Sequence, residues 1–305
     1  HEGNDCLTFL EEVKSFLAQA QREPVAIPKP IIEKFKEECE QAVRKQFTDK
    51  RETDFRIRMS NVGKPLCQLQ MDKKYSGDNK IVSYENYNFK LRNLFGDIIE
   101  AVAVMLLRTV KAKIQGVQGK VKLNTEFFDI KGTYDIIIDD KVYDIKSASP
   151  FAFEKKFGES GGGFHKIAED DVFGYLSQGY LYSEATGKPF GGWIVVNKST
   201  GEMLVSQPPE DDSEYRKKAL EKVHNNVKAL MEDAPFKKEY ELQEESFYQK
   251  KTGNKVLGNV CSFCQYKHKC WGDNIEYLPQ QQSKARSPKY YWYAELNNPK
   301  DVANG

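Results

Sequence analysis

No apolar run in this chain approaches the roughly 18 residues that a membrane-spanning helix needs, which excludes a helical membrane protein. No basic-then-apolar leader opens it. It begins at His1 without a methionine, so a trimmed or tagged chain with no secretory signal is expected. Neither sign of charge dominates. The net charge is +1 at pH 7, so any nucleic-acid contact must come from local patches rather than from bulk charge. No internal repeat is visible. No G-x-x-x-x-G-K-S/T stretch occurs, which excludes a P-loop motor. What remains is 305 residues, 39% hydrophobic and 30% charged, enough for one large domain or a domain with substantial additions.

Helices are predicted over 5–22, with Asp5 as N-cap and Leu7, Leu10, Val13 and Leu17 at helical spacing, and over 30–47 after Pro28 and Pro30. In the second, Ile32, Phe35, Cys39, Ala42 and Val43 should face inward. Residues 89–113 carry the strongest helical pattern: Leu91, Leu94, Phe95, Ile98, Ile99, Val102, Met105, Leu106 and Val110. Apolar side chains on more than one face predict that it is buried in the core. Glu100 sits among them, so either a cation compensates it or it lies on the helix's exposed edge. A strand is expected over 120–128 and a short helix over 151–157. A mobile loop is expected over 158–171, with Gly161-Gly162-Gly163 and His165 near the site. An aromatic helix over 171–186 places Tyr175, Gln178 and Tyr182 near one face. Strands Trp193–Asn197 and Glu202–Ser206 follow, then a helix over 212–232 with Ala219, Leu220, Val223, Val227 and Leu230 inward. The tail beyond 235 changes composition. Residues 280–289 read as loop, and Tyr290-Tyr291-Trp292-Tyr293 as an aromatic anchor docking the tail, or as a surface that stacks on bases.

Chemistry concentrates in two places. Thr133–Ile138 and Val142–Ile145, separated by Asp139-Asp140-Lys141, read as a hairpin. It brings the carboxylates of Asp135 and Asp144 to one end, and alternation puts Asp144 and Lys146 on one face with Ile145 on the other. Magnesium prefers carboxylate and water oxygens. Asp135, Asp144, the Ile145 carbonyl and Glu100 could serve as ligands, and Lys146 would orient or deprotonate an attacking water. A surface hairpin with a charged edge explains the same residues equally well. The second place is Cys261, Cys264 and Cys270, a C-x2-C-x5-C set, with Cys67 far upstream. Three close thiolates call for a soft metal or cluster completed by a fourth ligand. Zinc would accept Cys67 or His268, and spacing does not choose between iron–sulfur and zinc. Cys6 and Cys39 read as buried helix residues. An intracellular chain without disulfides is expected. Arg56, Arg58 and Lys64 either touch phosphates or form an ordinary surface cluster.

Together these motifs resemble the iron–sulfur branch of the PD-(D/E)xK nucleases, which includes RecB-like exonucleases, the AddB nuclease domain and CRISPR-adaptation exonucleases. The likeness runs from about Arg58 to Trp271. Ser60–Leu69 resembles the segment holding the branch's first cysteine, which implies Cys67 as a ligand. Gly96-x-x-x-Glu100, Gly132-x-x-Asp135 and Asp144-Ile145-Lys146 resemble the catalytic motifs, with glutamate where many relatives carry histidine. Gln178-x-x-x-Tyr182 resembles the family's Q-x-x-x-Y helix, which implies DNA positioning. Cys261, Cys264 and Cys270 match the late triplet, implying a structural 4Fe–4S cluster that ties the chain ends together across the nuclease core. The style of the first motif resembles virus-encoded members, implying host cytoplasm.

The expectations are therefore these. The fold is α/β, a restriction-endonuclease-like core with a mixed sheet flanked by helices, a helical N-terminal region (1–55), a nuclease core (56–235) and a cysteine-bearing C-terminal region (236–305). The activity is Mg2+- or Mn2+-dependent DNA exonuclease on single strands, with duplex ends as a further substrate. A separate helicase or recombination protein is the expected partner, the location is cytoplasmic, and no membrane is involved. The alternative is a non-hydrolytic nucleic-acid-binding or replication and recombination accessory protein on the same fold, or zinc in place of the cluster.

Overall fold

The structure is a computed structural model. It describes residues 8–49, 54–76, 88–127, 129–169 and 171–297; the expected N-cap Asp5 and Cys6 lie outside them. In chain order the helices are α1 (Thr8–Ala20), α2 (Lys29–Val43, running into a π-turn Arg44–Thr48), α3 (Leu66–Lys74), α4 (Phe89–Thr109), α5 (Pro150–Ala152), α6 (Gly163–Glu169), α7 (Tyr175–Thr186), α8 (Ser213–Met231), α9 (Asn259–Phe263) and α10 (Lys267–Trp271). The strands are β1 (Ile114–Asn124), β2 (Asp129–Ile138), β3 (Lys141–Ala148), β4 (Phe190–Asn197), β5 (Met203–Ser206), β6 (Gln243–Phe247), β7 (Lys250–Val256), β8 (Glu276–Pro279) and β9 (Tyr290–Glu295). Among the described residues no helix is long and apolar enough to cross a membrane.

The chain forms two units. One takes the described residues between 8 and 64 and between 88 and 232; the other takes 65–76 and 233–297. The first holds a five-stranded mixed sheet in the order β1-β2-β3-β4-β5. Only β3 and β4 run parallel, and α5, α6 and α7 form the crossover between them. Strand alternation feeds two cores. On one face, Tyr143 and Ile145 of β3 join Ile136, Ile138 and Ile194 beneath α1 and α4, with Phe9 edge-on to Tyr143 at 5.6 Å. On the other, Val142 and Ala148 of β3 join Trp193 and Val195 beneath α7 and α8.

Gly132 is a position in β2 that tolerates no side chain. A Cβ there would lie 2.7 Å from Met59 Sδ, and Met59 is wholly buried and donates its backbone N–H to the Lys131 carbonyl. Asn226 of α8 secures the same incoming segment by donating to the carbonyls of Val62 and Lys64 at 2.7 and 3.0 Å.

Several expectations need correction. The helix over 89–113 is not a buried rod. Its buried residues are Ala101, Ala103, Val104, Leu106 and Leu107, whereas Phe89, Leu91 and Phe95 are exposed, because only the second half lies on the sheet. Ile32 and Val43 of α2 are exposed as well. The segment 158–171 is not all loop. Gly162 and Gly163 adopt left-handed backbone conformations and lead directly into α6, whose Phe164 and Ile167 enter the core; His165 on it contacts the Tyr215 hydroxyl. The strand expected from 120 begins at Ile114.

The second unit holds a four-stranded antiparallel sheet, β6-β7-β9-β8. Tyr290–Tyr293 is thus part of an inner strand. Tyr293 is buried against Glu245. Asn254 Nδ2 and Thr252 Oγ1 also donate to the Glu245 carboxylate, each at 2.8 Å, so this buried charge is fully hydrogen-bonded.

Candidate active site

The turn between β2 and β3 is Asp139-Asp140, both in the left-handed region (φ 47° and 59°). Two such residues match the twist of a tight hairpin. From it the strands pair at Ile138–Lys141, Ile137–Val142 and Ile136–Tyr143. At the next rung the ladder changes character. Asp135 Oδ2 accepts a hydrogen bond from the Ile145 backbone N–H at 2.6 Å, so a carboxylate replaces a strand carbonyl and is held beside Asp144.

Alternation turns Asp144 and Lys146 toward α7. Asp144 is 1% exposed. The Lys146 ammonium stands 2.6 Å from its Oδ2. Apart from this ion pair, that oxygen has no hydrogen-bond partner among the described residues. Lys146 also lies 3.4 Å from Gln178 Oε1 and 4.8 Å from the Tyr175 ring centre. Gln178 Nε2 donates to the Tyr182 hydroxyl at 2.9 Å. The three residues expected on one face of α7 thus form a row beside Lys146. Asp171 fixes the start of that helix by accepting from the backbone N–H of Tyr175 and Leu176 at 2.7 and 3.1 Å.

Glu100 belongs to the same electrostatic system. Burial, reinforced by the charge of Asp144, raises its pKa to about 7. Burial, then Asp144 and Glu100, push the Asp135 carboxyl well above the usual range. Burial works against the Lys146 ammonium, but Asp144 and Asp135 outweigh it and leave its pKa raised. Glu100 and Asp135, both raised by burial and by Asp144 beside a single lysine, make a site short of positive charge.

Gln118 was not legible in the sequence. It stands opposite Asp135, between the pairs Val117–Ile136 and Gly119–Tyr134. Its backbone is left-handed (φ 50°), and its side chain donates to Glu100. Non-glycine residues in that region cluster at functional sites; nothing in the Q-G-V-Q-G run announces it. One turn before Glu100, Asp97 is held by Lys45 and Gln46 at 2.7 and 2.6 Å. A cavity of about 380 Å³ opens there, lined by Lys45, Asp97, Glu100 and Gln118 among others.

In the second unit, Cys67 of α3, Cys261 of α9, Cys264 just after α9 and Cys270 of α10 line one cavity of about 30 Å³ with Met71, Tyr240 and Trp271. All four are free thiols. Burial pushes each up, Cys67 to about 12. Their charges also oppose one another: Cys270 and Cys261 act on Cys264, and Cys264 acts on Cys67. Lys238, 4.1 Å from the Trp271 ring centre, offsets this at Cys261 and Cys270. His268, the alternative ligand, packs edge-on against Trp292 at 5.4 Å and is not among the residues lining the cavity.

As they stand, no three His, Cys, Asp or Glu side chains among the described residues converge on one ion-sized point. By donor type, the carboxylates of Asp135, Asp144 and Glu100 fit a hard cation, and the four thiols fit a soft metal or a cluster. A multi-iron cluster holds its thiolates farther apart than a single ion does.

No protein-family model matches the chain, and no curated protein matches it. A solved structure described as "Crystal structure of SSO0001" is similar over 76% of this chain and 92% of its own, with 13% identity and a TM-score of 0.39. A likeness that distant carries no argument about family or function.

Proposed function

We propose that the protein is a Mg2+- or Mn2+-dependent DNA exonuclease of the PD-(D/E)xK type, acting on single strands and bearing a structural cluster on its four cysteines. One observation carries this reading. Asp135 is held beside Asp144, and Lys146, two residues along the same strand, pairs with Asp144, with Glu100 in their electrostatic field and the Gln178–Tyr182 row against the lysine.

Asp135 and Asp144, with the Ile145 carbonyl and Glu100, would hold the cation, which supplies Lewis-acid polarisation of a phosphate oxygen and activation of water. Lys146, kept protonated by two acids, offsets charge at the scissile phosphate and orients the attacking oxygen rather than deprotonating it. Gln178 and Tyr182 would hold the strand against Lys146. Hydrolysis needs no electron transfer, so the cysteine site serves the fold. Zinc on the same four thiols is the second reading, favoured by their common cavity alone.

The test is digestion of end-labelled single- and double-stranded DNA with defined metals. Asp144→Ala and Lys146→Ala should each lower cutting by at least about a hundredfold. If either cuts like wild type, the site assignment is wrong. If wild type binds DNA without cutting it under any divalent metal, the non-hydrolytic accessory role replaces the nuclease.

A further inference from the structure

The outer face of the second unit's sheet is aromatic. Tyr277 of β8 lies directly across from Trp292 of β9, and Pro279 across from Tyr290. Residues two apart share a face, so Tyr277, Tyr290 and Trp292 stand together, opposite the buried Tyr293. Their rings form a row, with Tyr277 5.2 Å from Tyr290 and 5.2 Å from Trp292, at interplanar angles of 34° and 36°. Tyr277 is 56% exposed and Tyr290 50%. Lys267 lies 4.7 Å from the Trp292 ring centre.

Cations outnumber acids in the surrounding sequence, where Asp273, Glu276 and Glu295 are the acids. Between Glu276 and Glu295 the chain carries Lys284, Arg286 and Lys289 and no acid, and α10 adds Lys267, whereas its Lys269 packs over Tyr75 at 5.3 Å. A core packs its aromatics away from water and needs no cations beside them. A row of tilted rings, two exposed and Trp292 half-buried, with Lys267 at one end matches what unpaired bases and their phosphates require.

We propose that this face is a second nucleic-acid site, a stacking platform that takes consecutive unpaired bases of a single strand on Tyr290, Tyr277 and Trp292, with the flanking cations on the phosphates. Duplex DNA hides its base faces and is excluded. The platform lies in the unit without the acidic site, so it stands or falls independently of whether that site cuts.

The test uses the full chain with divalent metal omitted and a fluorescein-labelled oligothymidylate of about 20 nucleotides. Tyr277→Ala and Tyr290→Ala should each weaken binding about fivefold or more, the loss expected when one stacked base is released, while Tyr277→Phe binds like wild type. Binding should quench tryptophan emission, and Trp292→Phe should abolish the quench while Trp193, wholly buried, continues to emit. Oligouridylate in place of oligothymidylate separates a preference for RNA from one for DNA; either, bound through these rings, supports the platform. Alanine variants that bind within twofold of wild type overturn it, as does equally tight binding of blunt duplex. A Trp292 response to anionic phospholipid vesicles but not to oligonucleotide also overturns it, in favour of a membrane surface. Wild type that binds through these residues yet never cuts overturns the nuclease reading alone.

Discussion

The acid cluster predicts an inverted pH response of stability. Glu100 is raised from its usual 4.5 to about 7 when folded. The folded state therefore binds this proton more tightly than the unfolded chain does. Between those two values the folded protein carries the proton and the unfolded one does not, so stability is fully present below about 4.5 and is lost as pH rises to about 7. The shift corresponds to at most about 3 kcal/mol, less what solvent screens at this partly open position. Asp135, displaced in the same direction, adds to it. For a unit of this size that amounts to a fall in Tm of up to about 10 °C between pH 5 and pH 8 in metal-free protein. Thermal melts at those two pH values, with and without magnesium, are the assay. Glu100→Gln should flatten the metal-free profile, and magnesium should raise Tm more at pH 8 than at pH 5. If wild type and Glu100→Gln give parallel profiles, Glu100 does not share a field with Asp144 and the electrostatic account of the site is refuted.

Two further outcomes follow from packing and from the cysteines. Gly132→Ala drives a methyl into Met59 and should destabilise by about 1–3 kcal/mol in urea melts, with Met59→Ala in the same chain recovering part of the loss. Cys264→Ser should abolish absorbance near about 400 nm in anaerobically purified protein; a colourless wild type with stoichiometric zinc would instead establish the zinc reading.

The legible parts of this chain were those encoded over short distances. The β2–β3 hairpin announces itself through two aspartates between β-rich runs, and alternation then places Asp144 with Lys146. The Gln178–Tyr182 contact follows from one helical turn. Elsewhere the decisive partners are remote. The apolar pattern of α4 is continuous, yet only tertiary placement decides that Val104 and Leu107 meet the sheet while Phe95 meets solvent. Gly161-Gly162-Gly163 reads as a breaker but serves as the entry to α6. The strands β6 to β9 are short and unlike one another in composition, and β7 pairs with β9 about 40 residues further on. Gln118 matters because of what lies across the ladder, which local composition does not encode.

The two units alternate along the sequence, and the chain passes from one to the other three times. No single scission separates them. Ending an expression fragment at residue 232 leaves α3 with its buried Leu69 and Met71 but without Tyr266, whose hydroxyl donates to Asp72 at 2.6 Å. Starting one at 233 keeps three of the four thiols and loses Cys67. On the ribosome the second unit likewise has to wait for the chain beyond 233, some 160 residues after α3 has emerged, and joining ends that far apart costs about 4–5 kcal/mol of loop entropy. A metal or cluster held by Cys67 and the three late cysteines, as proposed above, would offset that cost only once the chain beyond residue 270 has emerged.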